Sequence, residues 1–333
     1  HNTSTPPLSF DSLLKTPGKW RDCALTIGNF DGVHVGHQQV INRVIGLADG
    51  GPSVAMTFEP HPVRFFKPEA PFFRISTAAQ KHHLMIDAGI ESLVVIEFNR
   101  SFTALSPEAF VKEVILGVFQ PKVVVVGYDF NFGHNRAGTP ELLVRLCREA
   151  GCPVEIHPAY ESGGRVVSST RIRKTITEGR VKEARALLSR PFSLYSRITR
   201  GEGRGHRLGF PTANLLEIDQ VLPANGVYLS LTETATGVYR SVTNVGGNPT
   251  FGGRAVVVET HIWDPAVKGG IELYDEEVVI HFLEALRAEI AFDSTEALCE
   301  QISADLEESI LRFREEELSD LSFQLSKNAV IAT

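Results

Sequence analysis

The stretch Ala24-Leu-Thr-Ile-Gly-Asn-Phe-Asp-Gly-Val-His-Val-Gly-His37 decides the fold of the first half. Residues 24–28 are apolar and β-branched and read as a strand. A helical pattern follows over 36–47. A glycine-rich turn joins them. A strand running through such a turn into a helix belongs at the carboxyl edge of a parallel sheet, where these sheets bind ligands. Outward from it the alternation continues. Strands are predicted over 54–57, 93–98, 122–127 and 154–157, with a helix over 77–87. Ser106-Pro107-Glu108 and Thr139-Pro140-Glu141 both read as helix starts: a capping hydroxyl, a proline in the first turn and an acid at the positive end. Strands alternating with helices imply βαβ units and a parallel sheet.

The pattern changes near residue 190. Helical segments over 171–178 and 181–188 lead to Arg190-Pro191. Short extended runs then follow over 193–200, 226–233, 238–244, 255–263 and 277–282, separated by Gly, Pro and Asn clusters. Such spacing suggests a small antiparallel barrel or sandwich. Leu298, Ile302, Leu306 and Ile310 recur every four residues and make the end helical. The reading is a flexible leader over 1–20, one module over 21–189 and a second over 190–333.

Bulk properties narrow the class. At 333 residues the chain is long enough for two domains, and 43% hydrophobic with 22% charged residues is ordinary globular composition. No apolar run approaches the roughly 18 residues of a membrane span. A net charge of −7 argues against a general nucleic-acid binder, yet leaves room for small phosphorylated ligands held by local groups. Four cysteines without zinc-site spacing read as reduced thiols of a cytoplasmic protein.

The chemistry concentrates in two places. In the first, Gly28, Gly32 and Gly36 let backbone approach a phosphate, and Asn29, Phe30 and Asp31 lie between them. His34 and His37 share a helical face, where two imidazoles can donate to phosphate oxygens as charge builds in a transition state. Zinc is disfavoured: there is no third ligand and no His-Glu-x-x-His spacing. Ser168, Ser169 and Thr170 offer donors just before a helix, and Arg173 can pair bidentately with a phosphate. Asp129 reads as a metal or ligand contact. Taken singly, Phe130 and Phe132 read as core packing and His61 as structural. In the second place, Gly201-Glu-Gly-Arg-Gly-His-Arg-Leu-Gly-Phe-Pro-Thr-Ala-Asn214 is neither a Rossmann fingerprint nor a Walker A loop. Its glycines (Gly203, Gly205 and Gly209 among them) suggest a phosphate-wrapping loop. Thr212 and Asn214 face one side of an extended segment, and two hard oxygens there suit Mg²⁺. Glu259 is a lone carboxylate in a β-branched strand, either a general base or a solvent-facing residue.

These segments also carry a resemblance. The run from Gly28 to His37 is similar to the His-x-Gly-His signature of adenylyl-type nucleotidyltransferases. Thr57-Phe-Glu-Pro-His-Pro62, Gly127-Tyr-Asp-Phe-Asn-Phe-Gly133 and Ser168-Ser-Thr-Arg-Ile-Arg173 resemble the FAD synthetase module of the bacterial bifunctional riboflavin kinase/FAD synthetase family. Leu208-Gly-Phe-Pro-Thr-Ala-Asn214, Asn244-Val-Gly-Gly-Asn-Pro-Thr250 and Leu286-Arg-Ala-Glu289 resemble its riboflavin kinase module. His206, Asp275 and Ala291 depart from the family pattern without removing a catalytic group.

The resemblance implies a Rossmann-like α/β nucleotidyltransferase-type sheet and a six-stranded antiparallel β-barrel with a C-terminal helix. It implies phosphorylation of riboflavin to FMN in the barrel and adenylylation of FMN to FAD in the sheet module, with ATP as co-substrate and Mg²⁺ as cofactor. Gly28, Asn29, Phe30, Asp31, Gly36 and Ser168–Thr170 would hold ATP, His34, His37 and Arg173 would act in catalysis, and Pro60, His61, Asp129, Phe130 and Phe132 would meet the flavin. In the barrel Thr212 and Asn214 would hold Mg-ATP, Glu259 would be the base and Arg287 would lie near the flavin. The expected partners are small-molecule substrates, with no nucleic acid and no membrane, and the chain is expected to be a monomer or weak homo-oligomer. A chain with one silent module and a non-enzymatic flavin-binding regulator are the alternatives.

Overall fold

The computed structural model describes residues 6–199, 213–216, 218–247, 256–265 and 276–314. The chain divides into two compact units, one made of the residues up to Phe72 with Ala78–Ser168, the other of Phe73–Thr77 with Ser169 onward.

The first unit is a five-stranded sheet. Its elements are α1 (Phe10–Leu14), β1 (Ala24–Ile27), α2 (Val35–Ala48), β2 (Ser53–Glu59), α3 (Pro62–Phe66), α4 (Ala78–Asp87), β3 (Ser92–Glu97) and α5 (Arg100–Thr103). There follow α6 (Pro107–Ala109, continuing as a wider coil over Phe110–Phe119), β4 (Val123–Gly127), α7 (Pro140–Glu149), β5 (Val154–His157) and the small hairpin β6 (Glu161–Ser162) and β7 (Arg165–Val166). Strand order is β3-β2-β1-β4-β5, with every neighbouring pair parallel. Parallel sheets are covered on both faces, so their strands are apolar throughout. Accordingly Leu25 and Ile27 of β1 enter one core with Val124, Val126 and the α6 residues Val111, Val114 and Ile115. Ala24 enters another with Val40, Ile41 and Val44 of α2 and Leu84 and Met85 of α4.

The predicted strands and helices of this unit all form. Both helix-start motifs work as read: Ser106 accepts from the Ala109 N–H and Thr139 from the Leu142 N–H. The described part of the leader is ordered, contrary to its reading as flexible. Leu8 N–H donates to Val95 O at 2.8 Å, Glu97 N–H donates to Leu8 O at 2.8 Å, and Leu13 is fully buried. Leu8, Phe10, Leu13 and Trp20, scattered in a polar segment, pack in or against the core of the sheet unit.

The second unit begins with α8 (Ser169–Thr177) and α9 (Val181–Leu188). Then come β8 (Phe192–Thr199), β9 (Ala213–Leu216), β10 (Gly226–Thr234), β11 (Gly237–Gly247), β12 (Val256–Ile262), β13 (Glu277–Ala288) and α10 (Thr295–Arg312). The six strands close into a barrel in the order β10-β11-β12-β9-β8-β13. Strand β9, treated in the sequence only as an extended segment, bridges β8 and β12 and completes the closure. Inside, Ser230, Thr232, Ser241, Thr243 and Thr260 are buried and join through hydroxyl–hydroxyl hydrogen bonds of 2.8–3.2 Å into a ring. Each hydroxyl both donates and accepts, so none carries an unmet desolvation cost.

Helix α10 forms as the four-residue recurrence predicts, and Leu298, Ile302 and Leu306 are half-buried. Asp305 and Ser309 are its buried residues, while Ile310 is 58% and Leu311 85% exposed. Arg287 of β13 anchors the helix: its guanidinium pairs with both Asp305 oxygens at 2.8 Å, and Gln301 donates to the same carboxylate at 2.9 Å. Bidentate guanidinium–carboxylate pairs fix orientation as well as adding energy.

Candidate active sites

In the first unit, strand order reverses at β1: the chain leaves toward β2 on one side and later returns as β4 on the other. A crevice opens at the carboxyl ends of two such strands. Gly28 follows β1, and Asp129, exposed, follows β4. The backbone after β1 is unusual. Phe30, Gly32 and Val33 all have positive φ (50°, 82° and 40°), and Val33 N–H closes the turn onto Phe30 O at 3.0 Å. A β-branched residue in that region is strained, and such strain gathers at functional sites.

The turn delivers His34 to the N-cap of α2. Its Nδ1 accepts the His37 backbone N–H at 3.3 Å, so in the neutral ring Nε2 carries the proton and is a donor. The His34 and His37 rings stack with centroids 3.6 Å apart, and the Phe30 ring meets His37 edge-on at 5.3 Å. His34 is only 5% exposed and Asp31 is also buried. Gly36 leaves the His34 ring its place, since a Cβ would stand 3.2 Å from that ring and push it by a few tenths of an ångström. The arrangement presents imidazole N–H groups at a helix N-terminus, a setting that favours anions.

The remaining expected residues of this unit separate. Asp129 Oδ1 lies 3.3 Å from where a Gly127 Cβ would be, so the glycine lets the carboxylate fold back over the end of β4. Phe132 is core: it is buried, packs on Phe110 and stacks with Phe130, which is half-buried. His61, next to the exposed Pro60, caps α3 by accepting the Val63 N–H at 3.2 Å and stacks on Phe72 at 4.4 Å. Ser168 ends the first unit, whereas Ser169, Thr170 and Arg173 open α8 in the second. Arg173 Nε donates to Phe73 O at 3.0 Å.

In the barrel the site is a row rather than a turn. Asn214 of β9 is the register partner of Glu259, and Glu259 is the partner of Asn244. Asn244 pairs with Val227, and Val227 with Arg287. Directly opposed residues share a face, so Asn214, Glu259, Asn244 and Arg287 form one belt on the outside of the barrel. Glu259 and Asn214 are half-buried. Arg287, expected near a flavin, is committed to Asp305 of α10 and also donates to Ala288 O at 3.0 Å. Thr212, Gly203, Gly205, Gly209, His206 and Asp275 lie outside the described residues. No group of three or more metal-ligating side chains occurs among the described residues.

With both sites laid out, comparison with known proteins is informative. A family model for FAD synthetase matches residues 16–171, and one for riboflavin kinase matches residues 188–311. A bifunctional riboflavin kinase/FMN adenylyltransferase of Haemophilus influenzae is 31% identical over 86% of this chain and 92% of that protein. Those of Escherichia coli and Pseudomonas fluorescens are 32% and 35% identical, covering 90% and 91% of those proteins. The chain belongs to the bifunctional riboflavin kinase/FMN adenylyltransferase family. A solved structure described as a macrolide-efflux protein from Streptococcus pneumoniae shares the fold, with a TM-score of 0.81 and 32% identity over 90% of this chain and 97% of that one. No helix among the described residues is long and apolar enough to cross a membrane.

One residue of the first site escaped the sequence reading of this family member. Lys81 of α4 is buried, and its Nζ reaches Glu59 Oε1 at 3.0 Å, Thr57 Oγ1 at 3.2 Å and Asn29 O at 3.4 Å. A signal was available: Gln80, Lys81, Leu84 and Met85 occupy the inward stripe of the helix, so the lysine sits at a core position.

Proposed function

We infer that this chain makes both flavin cofactors in two steps, phosphorylating riboflavin to FMN in the barrel unit and joining FMN to the adenylyl part of ATP in the sheet unit. The stacked His34–His37 pair at the start of α2, beside the strand-order reversal, carries the reading. In the first step the ribityl 5′-hydroxyl attacks the γ-phosphorus of ATP, its proton passes to Glu259, and ADP leaves. Asn214 is the register partner of Glu259, which supports assigning it to hold the nucleotide beside that base. Positioning and charge neutralisation do most of the work in phosphoryl transfer.

In the second step an FMN phosphate oxygen attacks the α-phosphorus of ATP, the bond to the β-phosphate oxygen breaks and pyrophosphate leaves. The nucleophile is already anionic, so no base is needed. His34 Nε2–H and the His37 imidazole stabilise charge at the reacting phosphates. Gly28, Asn29, Phe30, Asp31 and Gly36 form the bed for ATP. Asp129, Pro60 and Phe130 are assigned to the flavin side. Ser168, which ends the sheet unit, is assigned a further phosphate contact. His61 and Phe132, given their packing, support this site from behind.

Mg²⁺ fits the barrel donor set: the Asn214 amide oxygen and the Thr212 hydroxyl are hard ligands of the kind it takes alongside substrate phosphates. When bound it would neutralise phosphate charge. We assign residues 21–189 to FAD synthesis and 190–333 to riboflavin phosphorylation, in a cytoplasmic protein acting as a monomer or weak homo-oligomer. Incubation of the Glu259→Gln and His37→Ala variants with riboflavin or FMN, ATP and Mg²⁺ tests the division. Each variant should lose one product only.

A further inference from the structure

The sheet unit contains a buried cation that the two-step scheme does not use. Lys81 is 4% exposed. Burying an ammonium is costly unless it is paired and hydrogen-bonded, and here it faces Glu59, Thr57, the Phe58 carbonyl at 3.5 Å and the Asn29 carbonyl. Charge balance alone would need only Glu59. Two of the other contacts, those to Thr57 and to the Asn29 carbonyl, converge on one peptide group. Thr57 Oγ1 accepts from Lys81 and donates to Asn29 O at 3.2 Å, while Lys81 also reaches that carbonyl directly.

That peptide is the first of the turn. A trans peptide is planar, so fixing the Asn29 carbonyl fixes the Phe30 N–H on the opposite side. Phe30 then enters the left-handed region at φ 50°, and its ring meets the His37 imidazole. A continuous path therefore runs from the Lys81 ammonium through Asn29 and Phe30 to His37, all within one unit. We propose that Lys81 is a positioning residue for adenylyl transfer, holding the Asn29 carbonyl and thereby the Phe30 ring against which His37 is set. This rests on the reading of the His34–His37 turn as the adenylyl-transfer site.

The test uses the full chain with FMN, ATP and Mg²⁺, and riboflavin phosphorylation in the same preparation serves as the control. Lys81→Met should lower kcat for FAD formation about 10²-fold, the size of effect a small misplacement produces. KM for ATP should change by less than about threefold, because the loss is felt in the transition state. Thr57→Val keeps the Lys81–Glu59 pair and removes only the hydroxyl relay, so it should fold; its kcat should fall about tenfold. The double variant should lose less than the product of the two, since both act through one carbonyl. An unchanged kcat in Thr57→Val, or losses that multiply, would overturn the proposal. So would a defect confined to KM. If His37→Ala leaves FAD formation intact, the site assignment fails and the proposal falls with it; a loss in His37→Ala beside an unchanged kcat in Thr57→Val overturns the role of Lys81 alone.

Discussion

The sheet unit and the barrel unit hold their reacting groups in opposite ways. In the sheet unit the histidine pair is set by a turn beyond the end of β1, in which Phe30, Gly32 and Val33 all have positive φ. Its shape depends on side chains from other elements: Thr57 of β2, Lys81 of α4 and the His34 cap on α2. In the barrel unit Asn214 and Glu259 sit within strands, and ladder hydrogen bonds fix their backbones. The first site is a bent loop kept in place by remote contacts. The second is a rigid face on which only the side chains themselves matter. Substitutions one layer away should therefore damage the first chemistry more than the second.

The largest effects come from the reacting groups and sharpen the contrast. Glu259→Gln should cut FMN formation by about 10²–10⁴-fold, the usual worth of a general base. FAD formation from supplied FMN should persist. His37→Ala should lower FAD formation by about 10²–10³-fold and spare FMN formation. Product chromatography reads both. Loss of both activities in either folded variant would break the division.

A middle-sized effect belongs to the barrel. Asp305→Ala strands the Arg287 guanidinium that anchors α10. Breaking a buried pair from one side costs about 3 kcal/mol, which denaturant unfolding of the second unit should report. The Gly36→Ala variant asks the matching question of the sheet unit. Its new Cβ would press on the His34 ring at 3.2 Å. FAD formation should fall while FMN formation holds.

The smallest effect is a surface one. Arg43 donates to both oxygens of Glu155 at 2.7 and 3.0 Å, and this holds the Glu155 carboxyl below its ordinary value of 4.5. A depressed carboxylate stabilises the fold above that ordinary value and stops doing so as pH falls through the lowered one. The pair is exposed, so little is at stake. The melting-temperature gap between the wild type and Glu155→Gln should be slight at pH 7 and vanish in acid.

The two units also differ in what their sequences disclosed. The parallel strands were legible because burial on both faces leaves unbroken apolar runs such as 123–126. The helix starts at Ser106 and Thr139 were legible because capping is local chemistry. Strand β9 was harder to read, because four residues after a glycine loop carry no periodicity and only pairing with β8 and β12 makes them a strand. The helix α10 was legible from its four-residue recurrence, but its anchor was not, because the Arg287–Asp305 pair joins residues far apart in sequence. At the sites, residue types pointed to His34, His37 and Glu259. Lys81 was missed because a lysine on a helix reads as a solvated charge unless its position on the inward stripe is weighed.

The most direct test of two separate sites in one chain is a chromatographic time course of the wild-type protein with riboflavin, ATP and Mg²⁺. FMN should rise first and then decline as FAD accumulates, with ADP and pyrophosphate appearing as the two by-products. FMN accumulating with no FAD would contradict the assignment of the His34–His37 turn. Flavin binding with neither product would contradict both sites.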